Sequence, residues 1–111
     1  MGDVKKTLCQ IVYYVPESHL SITKQALFDA GAGKVGCYDS CAWQTRGKGQ
    51  FRPLLGSDPT IGEQGHLETL DEYKVELVCE ASILSVALDA LKAAHPYEEP
   101  AYFVLASAPY H

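Results

Sequence analysis

Four segments of the chain have the alternation or the composition of β-strands, in which successive side chains point to opposite faces. The first, Leu-Cys-Gln-Ile-Val-Tyr-Tyr-Val, is rich in β-branched and aromatic residues and stops at Pro16. In the third, Tyr73, Val75, Leu77 and Cys79 fall on one face. The predicted strands are residues 8–15, 35–44, 67–79 and 101–106.

Two further segments repeat apolar residues at helical spacing. Residues 17–30 precede Gly-Ala-Gly, a sequence typical of a helix end. Residues 82–94 carry an apolar stripe, with Ser82 as the expected N-cap and Pro96 as the stop. Both segments are predicted to be helices.

The predicted order β-α-β-β-α-β defines an α+β fold of the ferredoxin-like type. Two right-handed crossovers in this order build a four-stranded antiparallel sheet with both helices on one face. A long loop rich in glycine and proline, residues 45–66, joins the second and third strands, with a short strand around residues 51–54. The chain of 111 residues is interpreted as one domain, residues 1–111.

The sheet face opposite the helices has no predicted cover. Its mixed polarity favours a subunit interface over a solvated surface. The side chains expected on this face are Val12, Tyr14, Val78 and Val104, together with Gln10, Lys74 and Glu76.

Composition and charge exclude several classes of function. The chain is 47% apolar and 21% charged, as in globular proteins. No apolar run reaches the roughly 20 residues of a membrane span, and the N-terminus is a poor secretory signal. We therefore expect a cytoplasmic protein with four reduced cysteines and no membrane partner. A net charge of −5 without a basic cluster argues against nucleic-acid binding.

Two motifs resemble ligand sites but favour a structural interpretation. Gly-Ala-Gly-Lys-Val-Gly at residues 31–36 follows a helix and opens a strand, the reverse of the dinucleotide-binding arrangement. Cys37 and Cys41 would lie about 13 Å apart on a strand, too far for one zinc ion. With Cys9 and Cys79 they are interpreted as small buried apolar residues.

The densest polar cluster is His-Pro-Tyr-Glu-Glu-Pro-Ala-Tyr at residues 95–102. In an extended segment Glu98 and Glu99 point opposite ways and cannot form a simple acid–base pair. One of them, with His95, could hold a divalent ion or the donor groups of a ligand. The alternative is a helix C-cap and a rigid turn with solvated acids.

The long loop supplies a second candidate site. His66 and Glu68 share a face of an incipient strand, and Arg46, Lys48 and Arg52 could receive a phosphate or a carboxylate. The alternative is an ordered arm that packs on a neighbouring subunit. No Ser-His-Asp or Cys-His arrangement has local support.

Several motifs, in the same order, resemble the signature of one known family. They are Tyr-Val-Pro at residues 14–16, and the segments 26–38, 47–53, 56–62 and 95–102. From about residue 9 to residue 105 the chain resembles the PII-like insert domain of the family named for NGG-one-interacting factor three, the GTP cyclohydrolase type 2 homologues.

The resemblance implies a stand-alone insert. In the larger family members the insert lies between two halves that supply the His, Asp and Glu ligands of a dinuclear metal site, and we expect their hydrolase activity to be absent here. The insert also resembles PII signalling proteins and CutA-like divalent-cation tolerance proteins. These are ferredoxin-like trimers that bury their open sheet faces, so the resemblance implies a homo-oligomer, with a trimer favoured.

The leading hypothesis is a non-enzymatic oligomeric binding or regulatory module. Its site is expected where the long loop approaches the turn after the second helix, between subunits. His95 would be the donor to a ligand or metal, Glu98 or Glu99 would provide charge, and Arg52 would meet an anion. The candidate ligand-binding residues are Arg52, Gly62, Glu63, His66, His95, Tyr97, Glu98 and Glu99.

Two alternatives stay open. One is a divalent-metal binding or tolerance protein of CutA-like type, in which His66, His95 and Glu98 converge on the metal. The other is a purely structural assembly domain without a ligand. A divalent metal is the one candidate cofactor.

Overall fold

The first strand forms because alternate residues along it are apolar. In the computed structural model, which describes residues 7–107, β1 (Leu8–Val15) has the predicted bounds. Cys9, Ile11, Tyr13 and Val15 on one of its faces are buried. They form the centre of the hydrophobic core.

Each helix begins with a 3₁₀ turn. Glu17–His19 precedes α1 (Leu20–Asp29), and Ala81–Ile83 precedes α2 (Leu84–Ala94). The prediction that Ser82 caps α2 is wrong, because Ser82 lies inside the 3₁₀ turn and the N-cap of α2 makes no side-chain hydrogen bond. Within residues 7–107, no helix is long and apolar enough to cross a membrane.

The second strand lies further along the chain than the sequence predicts. Instead of residues 35–44, β2 is Trp43–Phe51, and the long loop is residues 52–67 instead of 45–66. Val35 and Tyr38 form only an isolated bridge, because Gly36 (φ +56°) and Ser40 (φ +56°) interrupt the extended backbone. No short strand occupies residues 52–54, since Phe51 is the last residue of β2.

The turn after α1, residues 30–42, is held in place by backbone hydrogen bonds. Its Gly33 has a φ of +76° and donates its N–H to the carbonyl of Val78 at 2.8 Å. The N–H of Cys41 donates in turn to the carbonyl of Gly33 at 2.8 Å. These bonds attach the glycine motif to the sheet just before β2 begins. The motif therefore has the structural role that its position in the sequence predicted.

The sheet has the order β2-β3-β1-β4, with β3 (Glu68–Glu80) and β4 (Tyr102–Ala106). All three neighbouring pairs are antiparallel. This is the predicted ferredoxin-like arrangement, and the α+β prediction is confirmed. Apolar residues of both helices enter the core on one side of the sheet, namely Leu20, Leu27, Ala87 and Leu91.

A buried hydrogen bond joins β1 to α1. The hydroxyl of Tyr13 donates to Oγ1 of Thr23 at 2.9 Å, and both residues are fully buried. Thr23 donates onward to the carbonyl of His19 at 2.7 Å. Burial raises the pKa of Tyr13 to about 12, so this hydroxyl stays protonated as the donor.

The side of the sheet opposite the core, here called the bare face, is not covered by α1 or α2, whose buried residues enter the core on the other side. One row of paired residues crosses all four strands on this side: Trp43, Glu76, Val12 and Phe103. Trp43 and Phe103 are 67% and 60% exposed, although Val12 between them is buried. The bare face therefore presents large apolar side chains at both edges.

One residue was assigned to the wrong side of the sheet. Val104 pairs with the core residue Ile11 and therefore points to the helix side. Leu105 lies beyond Phe103 on the bare face, opposite Gln10, and is 52% exposed. The prediction placed the alternation of β4 one residue out of phase. Such a shift moves every side chain of a strand to the opposite face of the sheet.

Candidate ligand-binding cleft

The loop of residues 52–67 lies against the turn that follows α2, residues 95–101. The backbone N–H of Asp58 donates to Oε1 of Glu98 at 3.1 Å. Oγ1 of Thr60 donates to the carbonyl of Pro96 at 2.9 Å. At the base of the loop, the N–H of Gly65 donates to the carbonyl of Pro53 at 2.6 Å. The loop and the turn are thus held side by side.

A cleft of about 440 Å³ lies between them. The sheet contributes residues of β1, β2 and β3, among them Tyr14, Phe51 and Glu72, and the loop contributes Pro53, Leu54, Pro59 and Ile61 to the apolar wall. The lining residues are Tyr14, Gln50, Phe51, Arg52, Pro53, Leu54, Ser57, Pro59, Thr60, Ile61, Glu72, Tyr97, Glu98, Glu99 and Ala101.

The structure separates the eight candidate residues into two groups. Arg52, Tyr97, Glu98 and Glu99 line the cleft, and their role as ligand contacts stays a prediction. The other four candidates do not line it: Gly62, Glu63, His66 and His95.

His95 is occupied by the fold itself. It is 7% exposed, and its Nε2 lies 2.7 Å from the carbonyl oxygen of Tyr14. Because that oxygen can only accept, Nε2 carries the proton, and Nδ1 accepts the backbone N–H of Tyr97 at 3.2 Å. Burial lowers the pKa of His95, although the bond to Tyr14 opposes the shift. With both ring nitrogens engaged, His95 is not available as the expected donor to a ligand or metal.

The expected metal set does not assemble. Nδ1 of His66 lies 3.7 Å from a carboxylate oxygen of Glu63, while the ring nitrogens of His95 bond to the backbone. Glu98 accepts from the loop. Across residues 7–107, no group of three or more His, Cys, Asp or Glu side chains could hold a metal ion.

The four cysteines differ in burial, whereas the sequence predicted that all four would be buried. All four are free, and Cys9 and Cys79 are buried opposite each other on β1 and β3. Burial raises the pKa of both thiols, that of Cys79 to about 11. Cys37, in contrast, is exposed and Cys41 is partly exposed, because both lie in the turn after α1 instead of on a strand.

Of the three basic residues expected to contact an anion, two form ion pairs within the chain. Arg46 and Lys48 bind Asp71 at 3.1 and 2.5 Å, and hydrogen bonds from Lys48 and Arg46 lower the pKa of that carboxyl. Arg52 has no ion pair or hydrogen bond to another residue in the described part of the chain. Of the three, Arg52 alone lines the cleft.

Sequence reasoning missed Glu72, which lines the cleft from the sheet. Its carboxylate is partly buried and has no hydrogen bond or salt bridge within residues 7–107. Burial raises its pKa. The side chain of Glu72 lies over Gly49, where any β-carbon would overlap the carboxylate. The available signal was Gly49 itself, because a glycine inside a strand often marks a close approach of another group.

Tyr97 was predicted as a ligand contact, but the burial of its hydroxyl oxygen was not predicted. Its ring packs against those of His95 and Phe51, at centroid distances of 4.9 and 6.4 Å. The hydroxyl oxygen is buried and has no hydrogen-bond partner within residues 7–107. Burial raises the pKa of Tyr97, and the charge of Glu72 adds to the shift.

No family model matches the chain. Over 98 residues it is 44% identical to the GTP cyclohydrolase 1 type 2 homologue of Mycobacterium leprae, an alignment that covers 88% of this chain and 26% of that protein. The chain is homologous to one segment of this family. A solved Bacillus cereus protein related to NIF3 agrees, with a TM-score of 0.83 and 34% identity over 96% of this chain and 27% of that one.

The family resemblance inferred from the motifs is therefore confirmed. The chain spans about a quarter of the length of the curated relatives it matches, so the activity of the whole proteins does not follow from this alignment.

Two further structures share the fold. CutA from Synechococcus elongatus has a TM-score of 0.67 at 21% identity, over 92% of this chain and 78% of that one. GlnK of Bacillus subtilis, solved as an ATP complex, has a TM-score of 0.60 at 11% identity, over 92% of this chain and 84% of that one. At these identities the likeness shows the fold, and the predicted CutA- and PII-like fold is confirmed.

Proposed function

We propose that this chain is a non-enzymatic, oligomeric binding or regulatory module whose ligand site is the cleft between the loop of residues 52–67 and the turn after α2. The cleft itself is the observation that carries the proposal. Two hydrogen bonds hold the loop over it, and its volume of about 440 Å³ suits a small molecule.

The bare face supports self-association. Trp43 at one edge of this face and Phe103 and Leu105 at the other are each more than half exposed, and exposed large apolar side chains of this kind commonly mark an interaction site. A second layer normally covers such a sheet face. We propose that copies of the chain supply this layer, as a trimer, in the manner that the CutA- and PII-like resemblance implies.

The cleft adjoins the surface that would be covered. Tyr14 pairs with Lys74, and Glu72 pairs with Gly47, so both cleft residues point to the bare-face side of the sheet. A neighbouring copy packed on that face would therefore border the cleft. This arrangement supports a ligand site at a subunit boundary.

Likeness in fold gives weaker support. GlnK of B. subtilis shares this fold and was solved with ATP, so a small-molecule site can be built on it, but function does not follow from fold. The four free thiols are compatible with the cytoplasmic location that we propose.

Assembly can be tested with one matched pair of variants. Phe103 on the bare face and Val86 on α2 are 60% and 58% exposed. Sedimentation or light scattering should give a trimer mass for the wild type and for Val86→Glu, and a monomer mass for Phe103→Glu. A monomeric wild type at micromolar concentration would refute the oligomer.

Ligand binding can be tested with thermal shifts against a metabolite library, because a ligand that binds the folded state raises its stability. Ile61→Lys alters the cleft wall, whereas Leu55→Lys alters the same loop outside it. We expect the first variant to abolish the shift and the second to retain it. A library without effect would refute the binding role, and a response to divalent metals alone would favour the metal-binding alternative.

A further inference from the structure

The charges that line the cleft are unbalanced. Three acids, Glu72, Glu98 and Glu99, face one base, Arg52. Glu98 already accepts a hydrogen bond from Asp58, but Glu72 has no partner in the described part of the chain. A partly buried carboxylate without a donor is costly, so Glu72 is the acid that most requires one.

The position of Glu72 depends on Gly49. The two residues lie on the paired strands β2 and β3, and the carboxylate occupies the space that a β-carbon at position 49 would need. Gly47 on the same strand has open space around it. Gly49 is therefore a positioning residue for Glu72, and Gly47 is its natural control.

A second polar group of the cleft also lacks a partner. The hydroxyl oxygen of Tyr97 is buried without a hydrogen bond to any residue between 7 and 107. A buried polar group of this kind calls for a missing ligand, ion or water. The partner that a carboxylate and a phenol oxygen can share is a group with several N–H donors.

We propose that the cleft binds a small molecule with an apolar body and a cationic head group, such as a protonated amine or amidine. The head group donates N–H bonds to the carboxylate of Glu72, with the hydroxyl of Tyr97 as a second acceptor. The apolar body packs against Phe51, Pro53 and Ile61. This inference rests on the proposed function, because it assumes that the cleft is the binding site.

The test uses three probes of similar size: phenethylamine, phenethyl alcohol and hydrocinnamate, which are cationic, neutral and anionic. Binding is followed by NMR shift changes of Phe51 and Tyr97 in the full chain. We expect the amine to bind best. Glu72→Gln should weaken its binding roughly 10- to 100-fold, as expected for a charge-assisted hydrogen bond, and should leave the binding of the alcohol nearly unchanged.

Two glycine variants test whether the position of the Glu72 carboxylate matters for binding, and not only its presence. Gly49→Ala displaces the carboxylate without removing it and should also weaken binding of the amine, whereas Gly47→Ala should not. Tyr97→Phe should weaken it by a smaller factor. If Tyr97→Phe has no effect, Tyr97 is not a contact.

The outcomes distinguish this inference from the proposed function. If the alcohol or hydrocinnamate binds the cleft as well as the amine does, the cleft is a binding site but the ligand class is wrong. If no probe perturbs Phe51 or Tyr97, the ligand class is refuted, and the library screen decides the proposed function. If Glu72→Gln changes the oligomeric mass, Glu72 pairs with a basic side chain of another copy, which also overturns the inference.

Discussion

Nε2 of His95 lies 2.7 Å from the carbonyl oxygen of Tyr14, and this hydrogen bond fixes the turn after α2 to the end of β1. The same ring accepts the N–H of Tyr97 through Nδ1. One neutral imidazole thus organises a wall of the cleft without lining it.

The protonation of His95 should make stability depend on pH. Burial lowers its pKa in the folded protein, so below its ordinary value of about 6.5 the unfolded chain binds more protons than the folded one. Stability should therefore fall as the pH drops through that value and level off below the lowered folded pKa. His95→Gln keeps a side-chain donor but cannot titrate, and in denaturant titrations at successive pH values it should show a weaker dependence. Identical pH profiles would contradict the assignment.

The Tyr13–Thr23 bond should contribute measurably to stability. Thr23→Val removes the acceptor of a fully buried hydroxyl and should cost about 1–3 kcal/mol. Tyr13→Phe should cost about 0.5–1.5 kcal/mol. In urea unfolding, the double variant should lose less than the sum of the two. Strict additivity would show that the two groups are independent.

Tyr97→Phe should have the opposite effect to Tyr13→Phe. The Tyr97 hydroxyl is buried without a partner within residues 7–107, so its removal should raise the ligand-free stability by about 1 kcal/mol. Thermal or urea unfolding of the two single variants gives the comparison. A loss of stability in Tyr97→Phe would mean that the hydroxyl has a partner in solution.

Gly33→Ala should destabilise the chain by about 1–3 kcal/mol. Gly33 has a φ of +76°, and a β-carbon there would lie 2.8 Å from the carbonyl oxygen of Cys41 and from the ring of Phe28. Gly47→Ala is the control, because that position has open space. Similar unfolding free energies for the two variants would show that the turn after α1 adjusts easily.

The thiols should react with an alkylating reagent in a fixed order. Exposed Cys37 should be modified first and partly exposed Cys41 more slowly. Cys9 and Cys79 are buried and have raised pKa values, so they should react only when the chain unfolds. Mass spectrometry of native and urea-treated samples measures this order. Early labelling of Cys79 would indicate that the pair of β1 and β3 opens locally.

The sequence was most informative where local preference and burial agree. β1 was predicted with its observed bounds because its apolar residues alternate and Pro16 ends it. β2 was misplaced because Trp-Gln-Thr-Arg-Gly-Lys-Gly-Gln-Phe carries two glycines and two cations. It is a strand because it pairs with β3 along its whole length, which is a tertiary effect that overrides intrinsic preference.

The cleft was harder to derive than the fold. The turn after α2 was noticed for its density of polar residues, but the spacing could not show that both nitrogens of His95 bond to the backbone. Glu72 was passed over because it resembles any polar residue on an exposed strand. Its importance depends on the register, which pairs Glu72 with Gly47 and lets the carboxylate extend over Gly49. A one-residue change in register would turn Glu72 to the other face.

The attachment of the 52–67 loop to the turn after α2 depends on few side chains. Asp58 contributes only a backbone N–H and Pro96 only a backbone carbonyl, so Thr60 and Glu98 are the two side chains on which these bonds depend. Wall residues such as Leu54 and Ile61 can then be exchanged without loosening the attachment. Descendants of this chain could acquire new binding preferences by drift at those wall positions while inheriting the scaffold intact.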